Sequence, residues 1–115
     1  MALVGSWARS AGRHKSDVDL VVLSAEPDAL LAGDATVWGS VFGQGVELIR
    51  CEDFGLLQER RLRRADGLEV EVGVGGLEWA KTDPPDEGSA RVVRDGMHIL
   101  FDPLALLAAL ATAIR

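Results

Sequence analysis

The sequence predicts an α+β domain built on a mixed sheet, and three observations carry that reading. The chain has 115 residues, 48% of them hydrophobic and 26% charged, which suits one packed core and is too apolar for disorder. Short β-branched runs occur between segments of helical character. Those runs and helices follow no regular strand–helix–strand series, so the class is α+β or mixed-sheet α/β, with residues 1–115 as one domain.

The elements follow in chain order. Ala2-Leu3-Val4 is a short apolar run ended by Gly5-Ser6, as expected of a buried strand turning into a helix over Trp7–Gly12. Asp17–Leu23 is the clearest strand, β-branched and stopped by Ser24-Ala25-Glu26-Pro27. Pro27 and Asp28 open a short helix through Leu31. Between Gly33 and Gly45 the helical spacing of Val37, Val41 and Phe42 competes with glycines. Val46–Arg50 reads as a short strand. Leu56–Arg63 and Leu68–Val74 flank Arg64-Ala65-Asp66-Gly67, a hairpin signal. Thr82–Gly88 reads as a loop too short for a domain linker. Arg91–Val93 and Met97–Phe101 read as strands around Asp95-Gly96. The last helix has Asp102 as N-cap and Pro103 as first residue, with Leu104, Leu107, Leu110 and Ile114 on one face.

Composition excludes several functions. Lys+Arg 12 against Asp+Glu 18 gives a net charge of -6, the wrong sign for a protein that coats nucleic acid. A nucleotide substrate stays open, because a divalent cation bridges carboxylates to phosphates. The longest apolar run, Leu104–Ala111, is too short to cross a bilayer, and the N-terminus has no secretory pattern. Cys51 is the single cysteine, which fits a reducing cytoplasm.

The chemistry concentrates between Gly5 and Leu20. Asp17 and Asp19, two apart in a strand, project to the same face, and two close carboxylates need a cation to stay ionised together. Oxygen donors of this kind suit Mg²⁺ or Mn²⁺. Gly5-Ser6 supplies backbone N–H groups and a hydroxyl for a phosphate. If the first two strands are neighbours, this turn and the aspartates meet at one end of the sheet. A third carboxylate would serve a second metal and act as base. Glu69 and Glu71 offer it; Glu71 is preferred because Val70 and Val72 flank it as Val18 and Leu20 flank Asp19.

Gly5-Ser6, Ala8-Arg9 and Ser16-Asp17-Val18-Asp19-Leu20 resemble the motif of the DNA polymerase beta-like nucleotidyltransferase superfamily. The chain looks like the small bacterial members, including minimal nucleotidyltransferases and the catalytic domains of aminoglycoside nucleotidyltransferases. The motif spans about sixteen residues, and GLEVEVG, WAKTDPPDEG and RVVRDGMHILFDP extend the likeness along the chain. The resemblance implies the nucleotidyltransferase fold, a mixed, largely antiparallel sheet backed by helices. It implies two Mg²⁺ (or Mn²⁺) ions held by three carboxylates, and an NTP, commonly ATP, whose NMP passes to a hydroxyl with release of pyrophosphate. By position, Gly5 and Ser6 contact the triphosphate, Arg9 neutralises it and Ser16 joins the nucleotide-binding set. Asp17 and Asp19 bind metal, Glu71 stands for the third acid, and Glu69 is its reserve. The chain departs from the family at Ser10, where glycine is common, and at Glu71, where aspartate is usual. Its first strand also starts almost at Met1, which leaves that strand as an edge open to another subunit.

One small domain leaves little room for a private acceptor pocket, so a homodimer or a partner protein is expected to complete it. The acceptor is a protein or a small molecule. The departures at Ser10 and Glu71 support a second reading: a catalytically weak or inactive binding module, antitoxin-like, partnering a HEPN-type ribonuclease. Arg13, His14 and Lys15 read as a solvated loop. Arg60, Arg61, Arg63 and Arg64 read as charged hairpin arms that discourage aggregation. Trp7, Trp38 and Trp79 read as core or interface residues, and His98 as a packed strand residue. Cys51, followed by Glu52 and Asp53, lacks the electropositive setting of a reactive thiol.

Overall fold

A computed structural model describes residues 1–5, 18–32, 38–39 and 42–114. The strands are β1 (Ala2–Val4), β2 (Val18–Leu23), β3 (Glu47–Phe54), β4 (Leu57–Arg63), β5 (Glu69–Gly75) and β6 (Met97–Ile99). The helices are α1 (Pro27–Leu31), a 3₁₀ turn at Leu77–Ala80, α2 (Glu87–Asp95) and α3 (Leu106–Ile114). The strands form one sheet in the order β3-β4-β5-β2-β1-β6. Among the described residues only β2 and β5 run parallel; the other neighbours are antiparallel. The class is mixed α+β, with a largely antiparallel sheet, as expected.

The period-two pattern of the central strands feeds two apolar layers. Val70, Val72 and Val74 of β5 and Leu62 of β4 bury one face against Trp38 and Val46, with Leu30 and Leu31 of α1 packed alongside. The Trp38 and Phe42 rings stack there at 6.3 Å and 21°. The opposite face carries Ala2 and Val21, covered by Trp79, Ala80, Leu107 and Leu110. Because strand β2 is buried on both sides, it reads as a nearly continuous apolar run interrupted by Asp19.

The hairpin at Asp66-Gly67 forms as expected. Arg64 N donates to Leu68 O at 2.8 Å, and Gly67 N donates to Arg64 O at 2.9 Å.

Other elements differ from the sequence reading. Arg91–Val93 is not a strand but the middle of α2. The Asp86 carboxylate accepts from Ser89 N at 3.0 Å and caps that helix, and fully buried Ser89 and Ala90 seat it on the core. This N-terminal signal outweighs the β propensity of the two valines. Strand β3 runs on to Phe54 rather than ending at Arg50, because pairing with β4 carries the charged residues Glu52 and Asp53 into the ladder.

Helix α3 begins three residues later than the Pro103 expectation. Ala105 takes φ 56, a left-handed conformation that cannot continue from Pro103 as helix. Leu104 is accordingly 67% exposed, while Leu107 and Leu110 are buried. The Trp38 and Trp79 indoles are core residues, but His98 is exposed on β6. Strand β1 is not an open edge either, since β6 pairs along its free side with Val4 opposite Met97. Among the described residues no helix is long and apolar enough to cross a membrane.

Candidate functional site

The antiparallel pairing of β1 with β2 sets Val4 opposite Asp19, so the chain leaves β1 at Gly5 beside that carboxylate. Gly5 has φ 72, a conformation natural to glycine. A Cβ on Gly5 would collide with Asp19 Oδ2. The glycine is therefore required twice, by its backbone and by the closeness of Asp19.

On the other side of β2, the parallel register with β5 puts Asp19 opposite Glu71. Adjacent strands lie about 4.8 Å apart, which makes the two carboxylates neighbours on one face. Gly5, Asp19 and Glu71 thus meet on one face; of the expected meeting of the Gly5-Ser6 turn with Asp17 and Asp19, the described residues include Gly5 and Asp19 alone. Ser6, Arg9, Ser16 and Asp17 lie outside the described residues, as do Trp7, Ser10, Arg13, His14 and Lys15.

The same row continues across the sheet. Glu71 stands opposite Arg61 of β4, and Arg61 opposite Arg50 of β3. Arg61 donates through Nη2 to Glu71 Oε1 and through Nη1 to Glu69 Oε1, the latter at 3.2 Å. Arg50 lies 3.9 Å from Glu71 and 3.8 Å from Glu59. Glu69, the reserve acid, is thus held at the outer side of Arg61, two residues from Glu71 along β5 and opposite Arg63. Of the four arginines read together from the sequence, the strand period puts Arg61 and Arg63 on this face and Arg60 on the other, whereas Arg64 pairs with Asp66 at 3.4 Å in the turn.

A cleft of about 250 Å³ opens over this row. Its walls include Gly5, Asp19, Glu71, Gly73, Glu59 and Asp95. Glu59 and Asp95 were not among the sequence-derived site residues. Glu59 stands opposite Gly73, whose missing side chain makes room for Leu57. Counting back by twos from the Asp66-Gly67 hairpin would have put Glu59 on the face of Glu71. Burial holds the Glu59 carboxyl above its ordinary range, and the Glu71 charge pushes it the same way, with a smaller opposing pull from Arg50.

Asp19 and Glu71 form an all-oxygen donor pair behind a turn too close for any side chain, which fits a hard divalent cation. Glu71 is also the acceptor of Arg61, so guanidinium and cation would compete for one carboxylate. Among the described residues no three His, Cys, Asp or Glu side chains gather into a metal-holding group. No family model, curated protein or solved structure matches this chain.

Proposed function

We propose that the chain is a metal-dependent nucleotidyltransferase that passes the NMP of an NTP, AMP from ATP, to a hydroxyl of a protein or small-molecule acceptor. The observation that supports it is the Gly5 backbone packed on Asp19, with Glu71 in register on the parallel strand.

In this reading the acceptor oxygen attacks the α-phosphorus, the bond to the bridging oxygen breaks, and pyrophosphate leaves with the electron pair. Gly5 and Ser6 hold the triphosphate by backbone and hydroxyl donors, and Arg9 and Ser16 add polar contacts. Asp17, Asp19 and Glu71 would hold Mg²⁺ or Mn²⁺, which supplies charge neutralisation at the phosphates. Glu71 takes up the acceptor's proton. The reading includes a cytoplasmic location and no membrane attachment. It also assigns the acceptor to a surface beyond this small cleft.

Isothermal titration of Mg²⁺·ATP tests the assignment. Wild type is expected to bind and Asp19→Ala to lose binding at least tenfold. Binding that is absent, or unchanged by the substitution, sinks the reading.

The Arg61–Glu71 ion pair favours a second reading, a non-catalytic module of the same fold that binds a protein such as a HEPN-type ribonuclease. Incubation with labelled ATP and lysate separates the two. Label transferred to an acceptor marks the enzyme; a stoichiometric protein complex without transfer marks the module.

A further inference from the structure

Strand β3 ends the sheet, and among the described residues it pairs with β4 alone. It is eight residues long and nearly all exposed, with Leu48, Ile49 and Phe54 among the large apolar side chains open to solvent. Such an edge presents unpaired backbone donors and acceptors. We propose that this edge is a self-association surface, on which β3 of a second copy of this chain pairs antiparallel about a two-fold axis through Cys51.

Strand faces and charges select that register. Arg50, Glu52 and Phe54 stand opposite Arg61, Glu59 and Leu57, on the cleft face; Cys51 and Asp53 stand opposite Arg60 and Gln58, on the other. Directly opposed residues in an antiparallel pair share a face, so a two-fold must pass through a residue of this stretch. Centred on Arg50, Glu52 or Asp53, it would oppose a charge to its own copy, which is destabilising; centred on Phe54, the last residue of β3, it would leave the rest of both strands unpaired. Centred on Cys51, it opposes Arg50 of each copy to Glu52 of the other and sets the two neutral thiols together.

Within one chain Arg50 and Glu52 already attract at 2.6 Å, so two copies join these pairs into a four-charge cluster of alternating sign. Phe54 lies at the end of the pairing, beside the bulge of the other copy. The bulge at Ile49, between Leu48 and Arg50, and the flanking charges ordinarily guard an edge against indiscriminate pairing. Here they leave one register open. The cleft face of both copies then lies on one side of a continuous sheet, which is a route to a composite acceptor surface.

Sedimentation equilibrium and cross-linking of exposed Cys51 with a short bis-maleimide test this. The wild-type chain is expected to be a dimer that cross-links in high yield. Glu52→Arg, which faces Arg50 of the other copy, is expected to raise the dimer dissociation constant about tenfold. The double swap Arg50→Glu/Glu52→Arg restores the opposed signs and is expected to recover dimerisation. Cys51→Arg, an exposed change that keeps the hairpin, is expected to give a monomer with an unchanged far-UV spectrum. A monomeric wild type, a dimer that does not cross-link at Cys51, or a Glu52→Arg dimer of wild-type affinity overturns the proposal. So does a double swap that fails to recover dimerisation while remaining folded.

Discussion

At the scale of single residues, Gly5 links backbone to chemistry. Its φ of 72 would cost an ordinary residue about 1–2 kcal/mol, and an added methyl would have to displace Asp19 Oδ2. Gly5→Ala is therefore expected to lower unfolding free energy by about 1–3 kcal/mol. It should also weaken Mg²⁺·ATP binding, because the carboxylate must move. Denaturant unfolding and titration of the same variant check both; wild-type values in the two assays would contradict the close approach. The residue also shows what a motif can and cannot disclose. Gly-Ser before Asp-x-Asp pointed to the turn and the acids, but the partner of Glu71 lay in a run of arginines read as surface charge. Arg61 could have been separated from Arg60 and Arg63 only by knowing the register of the hairpin.

At the scale of elements, termini decide more than interiors. Asp102 was expected to cap the last helix, and its carboxylate does accept from two of that helix's N–H groups. These are Leu107 N at 3.1 Å and Ala108 N at 2.9 Å. It does so across an intervening turn, in which Ala105 N donates to Asp102 O at 3.0 Å. Asp102→Ala leaves both donors without this partner and is expected to cost about 1–2 kcal/mol. A fall in melting temperature reads this out, and a variant that melts with wild type would show that solvent replaces the cap fully. The Met1 ammonium also donates to Phe101 O at 2.6 Å, so this turn joins the start of the chain to its last helix. Apolar periodicity located α3 from sequence but could not locate its first residue, since Ala105 has no local feature that marks a left-handed conformation. For α2, the Val92-Val93 pair concealed a helix that Asp86 and buried Ser89 specify.

At the scale of the whole molecule, two apolar layers enclose one sheet and leave its charged row partly out of water, so stability depends on pH. The folded state holds the Glu59 proton more tightly than the unfolded chain does, through burial first and Glu71 second. With the folded pKa raised, the unfolded state binds fewer protons in that window, and stability falls as pH rises through it. The Met1 ammonium has the opposite sense: burial lowers its pKa from 8.0, so stability rises as pH climbs toward 8.0. Relative to Glu59→Gln, wild type is expected to lose stability as pH rises above the ordinary glutamate value of 4.5 in chelator-containing buffer. Parallel melting curves for the two proteins would remove Glu59 as the source. A terminus blocked by acetylation should flatten the basic arm in the same assay.

What the sequence determined by itself was local: the Val18–Leu23 strand, the Asp66-Gly67 hairpin and the short Pro27 helix. Each rests on side-chain alternation or a turn preference that acts within a few residues. Tertiary structure alone decided that β5 crosses back to lie parallel to β2, which sets Asp19 against Glu71. It also decided that β4 then delivers Arg61 and Glu59 to the same face, and that among the described residues β6 closes the side of β1 while β3 stays open. Strand neighbours far apart in the chain are chosen by burial of both sheet faces at once. That is a property of the assembled core, which no short stretch of sequence encodes.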